Sequence, residues 1–305
     1  MNLNSVQIDS HERILLTGAG FTKNFGGPLA KELWGIIYSN PKLDNAPGVR
    51  DLLRRDFDFE SVYNQVLRGA RLPFDDAPEW PVQQQALRTA VIEAYAFIDD
   101  KIRAFANRTD APNALNIYKL QEFISKFAGT NKKPGFFFTL NQDMFVERHH
   151  YNGSRPTLLG IPHRSTWFTS NSEQSLQAER CVLPETADGI GVGSSGFYYI
   201  KLHGSSNWYS ADQETMVIGR AKENQIAAQP LLARYYEIFQ AVLTGEKRRL
   251  LCLGYSFSDP HINRAIGAGV KAGLRLYVLS PEAPDALAAR LIAQGESGEI
   301  LWRGL

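Results

Sequence analysis

The stretch Arg13-Ile-Leu-Leu-Thr-Gly-Ala-Gly-Phe-Thr-Lys-Asn-Phe-Gly-Gly-Pro28 decides the fold. A short apolar run stops abruptly at Gly18-Ala19-Gly20 and a helical pattern follows, which reads as strand, tight turn, helix. Glycine lets a backbone approach a ligand closely, and a helix N-terminus offers free N–H groups and partial positive charge, so such a turn suits a pyrophosphate. It is neither of the common phosphate motifs. Lys23 stands where G-x-G-x-x-G needs its third glycine, and no G-K-[ST] follows.

Working outward, a helix is expected at about Ala30 to Tyr38, with Leu33, Trp34 and Ile37 on one face and Asn40-Pro41 as its stop. Val49 to Leu67 reads as one helix led in by a loop. Val82 to Ala106 reads as a long helix with Leu87, Val91, Tyr95, Ile98, Ile102 and Phe105 at three- and four-residue steps, and Asn113 to Phe127 as another. These form a helical insert at about residues 50–130, placed after the first βα unit. Short apolar runs then alternate with helices: strands at Phe136 to Asn141, Phe197 to Leu202, Arg249 to Gly254 and Arg275 to Leu279, helices around Leu231 to Leu243, from Pro260, and over Asp285 to Ala293. A last strand is expected at Glu299 to Arg303. Residues 151–196 are rich in Gly, Ser, Thr, Pro and Asn and read as a loop-rich cover with one short strand. The fold class is α/β: a Rossmann-like, mostly parallel sheet with helices on both faces, within a single domain spanning 1–305.

Composition narrows the function classes. The 305 residues are 44% hydrophobic, and 33 basic against 32 acidic residues leave a net charge of +1, no footprint for nucleic acid or an anionic membrane. Cys181 and Cys252 stand alone, so neither a disulfide framework nor a four-thiolate zinc site is expected. Met1 to Ser10 lacks the apolar core of a signal peptide, and no apolar run reaches transmembrane length, which makes the cytoplasm the expected compartment.

In a parallel sheet, ligands bind at the carboxyl ends of the strands. Those ends here carry Gly18-Ala-Gly20, Asn141-Gln-Asp143, His203-Gly204, Gly254-Tyr-Ser256 and Ser280-Pro-Glu282, so polar and titratable groups converge on one crevice. Each piece also has a plainer reading. Asn141 suits a turn or a helix cap, and Asp143 suits the cap of a helix starting at Met144. His203 titrates near neutrality and suits a base, although a lone histidine is usually structural. Gly254-Tyr-Ser256-Phe-Ser258 is similar to a nucleophile elbow, but Ser258 replaces the last glycine and His261 is too near in sequence to complete a triad. His149-His150 point different ways on a helix and read as surface residues rather than metal ligands.

Taken together, Gly18-Ala-Gly20-Phe-Thr22 with Gly27-Pro28, Thr139-Leu-Asn141-Gln-Asp143, Lys201-Leu-His203-Gly204-Ser205, Gly254-Tyr-Ser256 and Leu279-Ser-Pro-Glu282 resemble, in order and context, the sirtuin NAD-binding core. More narrowly they resemble the sirtuin-like domains of bacterial antiphage defence. The resemblance implies that Gly18, Ala19, Gly20 and Thr22 embrace the NAD phosphates, and that Asn141 and Asp143 line the nicotinamide ribose and nicotinamide pocket. It makes His203 the catalytic base, with Gly204 beside it. Gly254 and Ser256 would hold phosphate or ribose, and Ser280 and Glu282 would lie near the adenosine end. Two departures matter: the paired C-x-x-C zinc module of the deacylases is missing, and Leu140 replaces the glutamine usual before the asparagine. What the resemblance implies is therefore NAD hydrolysis to nicotinamide and ADP-ribose without a metal, with protein deacylation, ADP-ribosyl transfer or bare NAD binding as the alternatives. It also implies restraint of a toxic activity, by a HerA-type ATPase partner or by homo-oligomerisation.

Overall fold

The computed structural model describes residues 8–68, 79–105, 116–150, 156–161, 180–193, 195–210, 213–219 and 222–305. The first strand, β1 (Arg13–Thr17), leads through Gly18 into a single turn, α1 (Ala19–Thr22), and a 3-10 turn (Lys23–Phe25). Helix α2 (Ala30–Tyr38) completes the first βα unit, and the helical insert follows: α3 (Pro47–Arg55), α4 (Phe59–Arg68), α5 (Trp80–Phe105) and α6 (Ile117–Ser125). Then come β2 (Gly135–Thr139), α7 (Phe145–His149), the short β3 (Thr157–Leu158) and β4 (Cys181–Val182), β5 (Phe197–Lys201), β6 (Trp208–Ser210) and β7 (Gln213–Glu214). The chain closes with α8 (Lys222–Ala228), α9 (Pro230–Leu243), β8 (Arg249–Leu253), α10 (Pro260–Lys271), β9 (Arg275–Leu279), α11 (Pro284–Ile292) and α12 (Glu296–Arg303).

Six strands form one sheet in the order β3-β5-β2-β1-β8-β9, and every neighbouring pair is parallel. Parallel strands need long crossovers, and the helices between them supply these and cover the sheet. Every residue of β2 and β5 is buried, as expected of strands covered on both faces. Phe136, Phe137 and Phe138 are fully buried, each side chain contributing on the order of 1.5–3 kcal/mol of apolar burial.

Register sets the site. Thr17 pairs with Thr139 and Leu253, Thr139 with Lys201, and Leu253 with Leu279, so five strands end level. From β1 the chain builds outward first through β2 and later through β8, on the opposite side. The switch point, where such sheets open a crevice, therefore lies beside β1. Gly18 and Gly254 sit there.

The structure corrects several expectations. Val49 to Leu67 is two helices, α3 and α4, because Asp58 interrupts the pattern and its Oδ1 caps the new helix at the Glu60 N–H (3.1 Å). Glu299 to Arg303 is helical: the apolar run Ile300-Leu301-Trp302 is too short to reveal its period, while α12 buries Leu301 completely and packs against α10 and α11. The small helix α8, which buries only Ile226, carries too few apolar residues for a periodic signal. His149 and His150 are buried rather than on the surface, beneath the insert, where His149 Nε2 lies 2.8 Å from the Ile102 carbonyl and Gln121 donates to the His149 carbonyl. Among the described residues between 151 and 196 there are two short strands, β3 and β4. The rest of the expected cover at 151–155, 162–179 and 194 lies outside the described residues, as do Met1 to Gln7, Ala106 and the expected helix start at Asn113. Among the described residues, no helix is long and apolar enough to cross a membrane.

Candidate functional site

The glycine turn closes on β8 rather than standing free. The Gly18 N–H donates to the Leu253 carbonyl (3.1 Å), the Gly20 N–H to the Gly254 carbonyl (3.0 Å), and the Phe21 N–H to Gly18 (2.9 Å). A Cβ on Gly20 would meet the Gly254 Cα at 2.8 Å, and a Cβ on Gly254 would meet the Phe21 nitrogen at 2.3 Å. Gly254 also has a φ of +65°, where only glycine is at ease. Contact between two turns thus accounts for these glycines; α1 adds a single turn before the helix expected at Ala30 to Tyr38, which is α2. Ala19 and Gly20 are exposed at the mouth of the crevice.

Across β1, the end of β2 supplies a linked set. Thr17 Oγ1 donates to Thr139 Oγ1 (2.8 Å), which accepts from the Asn141 N–H (3.1 Å). The Asn141 side-chain amide donates to Thr22 Oγ1 (3.3 Å), and that hydroxyl donates to Asp143 Oδ2 (3.0 Å). Asp143 Oδ1 accepts from the Phe145 N–H (3.0 Å), so Asp143 caps α7, whose first residue is Phe145 rather than Met144. Three residues assigned to one site from sequence, Thr22, Asn141 and Asp143, are therefore joined by hydrogen bonds. Burial pushes the Asp143 carboxyl above its usual value, against the pull of Lys201.

Beneath them lies Lys201, fully buried, with Nζ 2.5 Å from the Asp143 carbonyl and 2.8 Å from Glu147 Oε1. It fastens the loop that carries Asn141 to the end of β5. Lys201→Met is expected to cost about 3–5 kcal/mol in a urea unfolding series, because it strands the buried Glu147 carboxylate.

His203 follows at the end of β5 and is also buried. Its carbonyl accepts from Gln142 Nε2 (3.2 Å), which also donates to the Val217 carbonyl (2.9 Å), while Tyr95 of α5 bonds to Gln142 Oε1. The insert thus braces the loop between Asn141 and His203. Gly204, with φ +75°, turns the chain where a Cβ would lie 2.3 Å from the Thr215 carbonyl. His203 Nε2 faces His261 Nε2 at 3.1 Å. Burial pushes the His203 imidazole down to about 3, against the raising influence of Asp259, so it is neutral at pH 7.

His261, Asp259 and Lys222 were not read from sequence as site residues. Asp259 ends the loop after β8, and its carboxylate turns to Lys222 Nζ (2.8 Å), which also holds Glu60 of α4 (2.9 Å). Burial works against ionisation of Asp259, but the neighbouring His203 and Lys222 outweigh it and hold the carboxyl below its usual value. The loop is held under strain: Phe257, fully buried, has a φ of +57°, and its carbonyl accepts from Asn263 Nδ2 (2.8 Å) and Gln294 Nε2 (3.1 Å). The available signal was Asp259-Pro-His261 just beyond a strand-ending glycine, with Pro260 opening a helix.

The predicted adenosine end is further out. Ser256 is exposed and its Oγ lies 2.8 Å from Ser258 Oγ. Ser280 Oγ accepts from the Glu282 N–H (3.1 Å), and Glu282 is engaged by Arg290 Nη2 (2.7 Å), which holds its carboxyl below the usual range. Arg290 also donates to the Ser256 carbonyl (2.5 Å), so these residues share one network at the β8 and β9 ends.

A family model for the SIR2-like domain matches residues 136–297, more than half of the chain. The chain belongs to the SIR2-like family. The matched span runs from β2 to the start of α12 and includes Asn141, His203 and Asp259. The glycine turn lies outside it in sequence and joins it in space, because β1 sits between β2 and β8. No individually curated protein matches the chain. SIR2-like domains bind NAD. The donors present suit that dinucleotide: a neutral imidazole able to accept a proton, a side-chain amide, and hydroxyl and backbone groups along the crevice.

Proposed function

We propose that this SIR2-like chain hydrolyses the N-glycosidic bond of NAD+, releasing nicotinamide and ADP-ribose. What supports the reading is that the SIR2-like match spans Asn141 and His203, that Thr22 holds the Asn141 amide, and that Gln142, next to Asn141, binds the His203 carbonyl at the neighbouring strand end. NAD is the substrate here. Its phosphates would lie along Ala19 and Gly20, and Glu282 and Ser280 would be nearest the adenosine. Departure of nicotinamide leaves an oxocarbenium-like ribose, and Asn141, held by Thr22, orients the attacking water or a ribose hydroxyl. His203 accepts the proton released as water adds, and returns it to solvent. The absence of a paired cysteine module in the sequence weighs toward water as the acceptor rather than acyl-lysine. We further propose a cytoplasmic, homo-oligomeric effector of antiphage defence, restrained by assembly or by a HerA-type ATPase.

Purified protein incubated with NAD+ is expected to release nicotinamide and ADP-ribose in equal amounts without any acyl-peptide, and Asn141→Ala is expected to abolish that release while remaining folded by circular dichroism. Nicotinamide release that requires an acetyl-lysine peptide would replace hydrolysis with deacylation.

The acid limb of kcat/KM is expected well below the ordinary histidine range. Because burial lowers the His203 value, the folded enzyme keeps its base unprotonated as pH falls through 6.5. A solvated imidazole would lose about 25-fold between pH 7 and pH 5, and this enzyme should lose little. The sign for stability is opposite: the unfolded chain gains a proton there that the native state does not, so His203 makes the fold less stable as pH falls from 6.5.

A further inference from the structure

The two imidazoles at the site form a pair isolated from bulk solvent. His203 is 4% exposed and His261 2%, their ring centroids are 5.2 Å apart, and their Nε2 atoms approach to 3.1 Å. Two nitrogens at that separation hold one proton between them: two N–H groups would repel, and so would two lone pairs. The tautomers of the two rings are therefore complementary. His261 is itself fixed, since it lies in the first turn of α10 and its carbonyl accepts from Tyr236 Oη (2.9 Å).

We infer that His261 is the positioning residue of His203, accepting the His203 Nε2–H so that the base presents a bare Nδ1 to the substrate. This rests on the reading of His203 as the base. With Nε2 turned to His261, Nδ1 is the nitrogen left for a substrate proton, and it accepts one only if the ring's own proton sits on Nε2. His261 then carries its proton on Nδ1. When the attacking water adds, its O–H bond breaks and an N–H bond forms at His203 Nδ1. The Nε2 proton is free to move across to His261, so one proton enters the pair and the charge is shared over two rings. The groups facing that charge are Asp259, which favours it, and Lys222, which opposes it and is itself offset by Glu60; Glu223 and Arg264 act on His261 from the helix side. Glu60 belongs to α4, so the insert bears on the base electrostatically through Lys222 and Asp259.

Ligand atoms of His203, Asp259 and His261 all lie within 4.8 Å of one another, a spacing that would also suit a transition metal. The Lys222 ammonium, 2.8 Å from Asp259 Oδ1, favours the proton: a metal ion would sit beside a cation already neutralising its only anionic ligand.

The test uses full-length protein labelled with 15N-histidine. Long-range 1H–15N spectra are expected to show His203 as the Nε2–H tautomer and His261 as the Nδ1–H tautomer, with one slowly exchanging ring N–H that disappears in His261→Phe. In kinetics, His261→Phe should lower kcat about 10- to 100-fold with KM nearly unchanged, in the range of a lost acid–base function. His261→Gln, whose carbonyl can accept the same N–H, should recover most of it. His203 found as the Nδ1–H tautomer, or His261→Phe and His261→Gln behaving alike, would overturn the inference. So would stoichiometric zinc uptake by the wild type in calorimetry that His261→Gln abolishes. Wild-type protein that fails to cleave NAD+ would remove the base reading, while the spectra still decide the hydrogen bond between the rings.

Discussion

His203→Ala protein is expected to fold with wild-type secondary structure and to cleave NAD+ about 10²- to 10⁴-fold more slowly, the range that a general base supplies. The fold should survive because the side chain makes its polar contact with His261, and the backbone around it is held independently: Gln142 binds the His203 carbonyl and Gly204 makes the turn. The loss should fall on kcat, since the imidazole acts on a proton in flight rather than on the bound dinucleotide. Nicotinamide release measured under saturating NAD+ checks this. Turnover within threefold of wild type would remove His203 from the chemistry.

Gly254→Ala is expected to destabilise the protein by at least about 3 kcal/mol through the combined cost of a left-handed alanine and a backbone collision. The added carbon would lie 2.3 Å from the Phe21 nitrogen and 2.5 Å from the Gly20 carbonyl carbon, and no side-chain rotation relieves contact with main chain. The turns after β1 and β8 must then part. That breaks the Gly20 hydrogen bond and opens the switch point on which the site is built. Chemical denaturation measures the loss. By contrast, Gly189→Ala, at a similar φ of +75° but with open space around it, should cost only the backbone term, about 1–2 kcal/mol.

The contrast between those two glycines shows how far a sequence reading reaches. Gly18, Gly20 and Gly254 were legible as glycines that mattered because each ends an apolar run. Their partner was not legible, because contact between two turns some 230 residues apart in sequence depends on β1 lying beside β8. Glycines at such a turn suggest close approach to a phosphate, and in the structure they approach each other. The Asn141 amide, its Thr22 partner and the cap made by Asp143 were within reach, since strand-end polar residues have few roles. Glu299 to Arg303 was misread because five residues hold barely one helical turn, too few to separate a period of 3.6 from one of 2.

The sequence by itself determined the parallel α/β architecture, the order of the strand ends and the residues they carry, because strand and helix periods and glycine stops are local properties of the chain. Only the tertiary structure decided which of those ends meet. It set five strands level, enclosed His203 so that burial keeps it neutral, and brought against it a second histidine, His261, with Asp259, Lys222 and Glu60 behind. Solvent exclusion and approach across the crevice arise from packing of distant segments, and local sequence carries no trace of either.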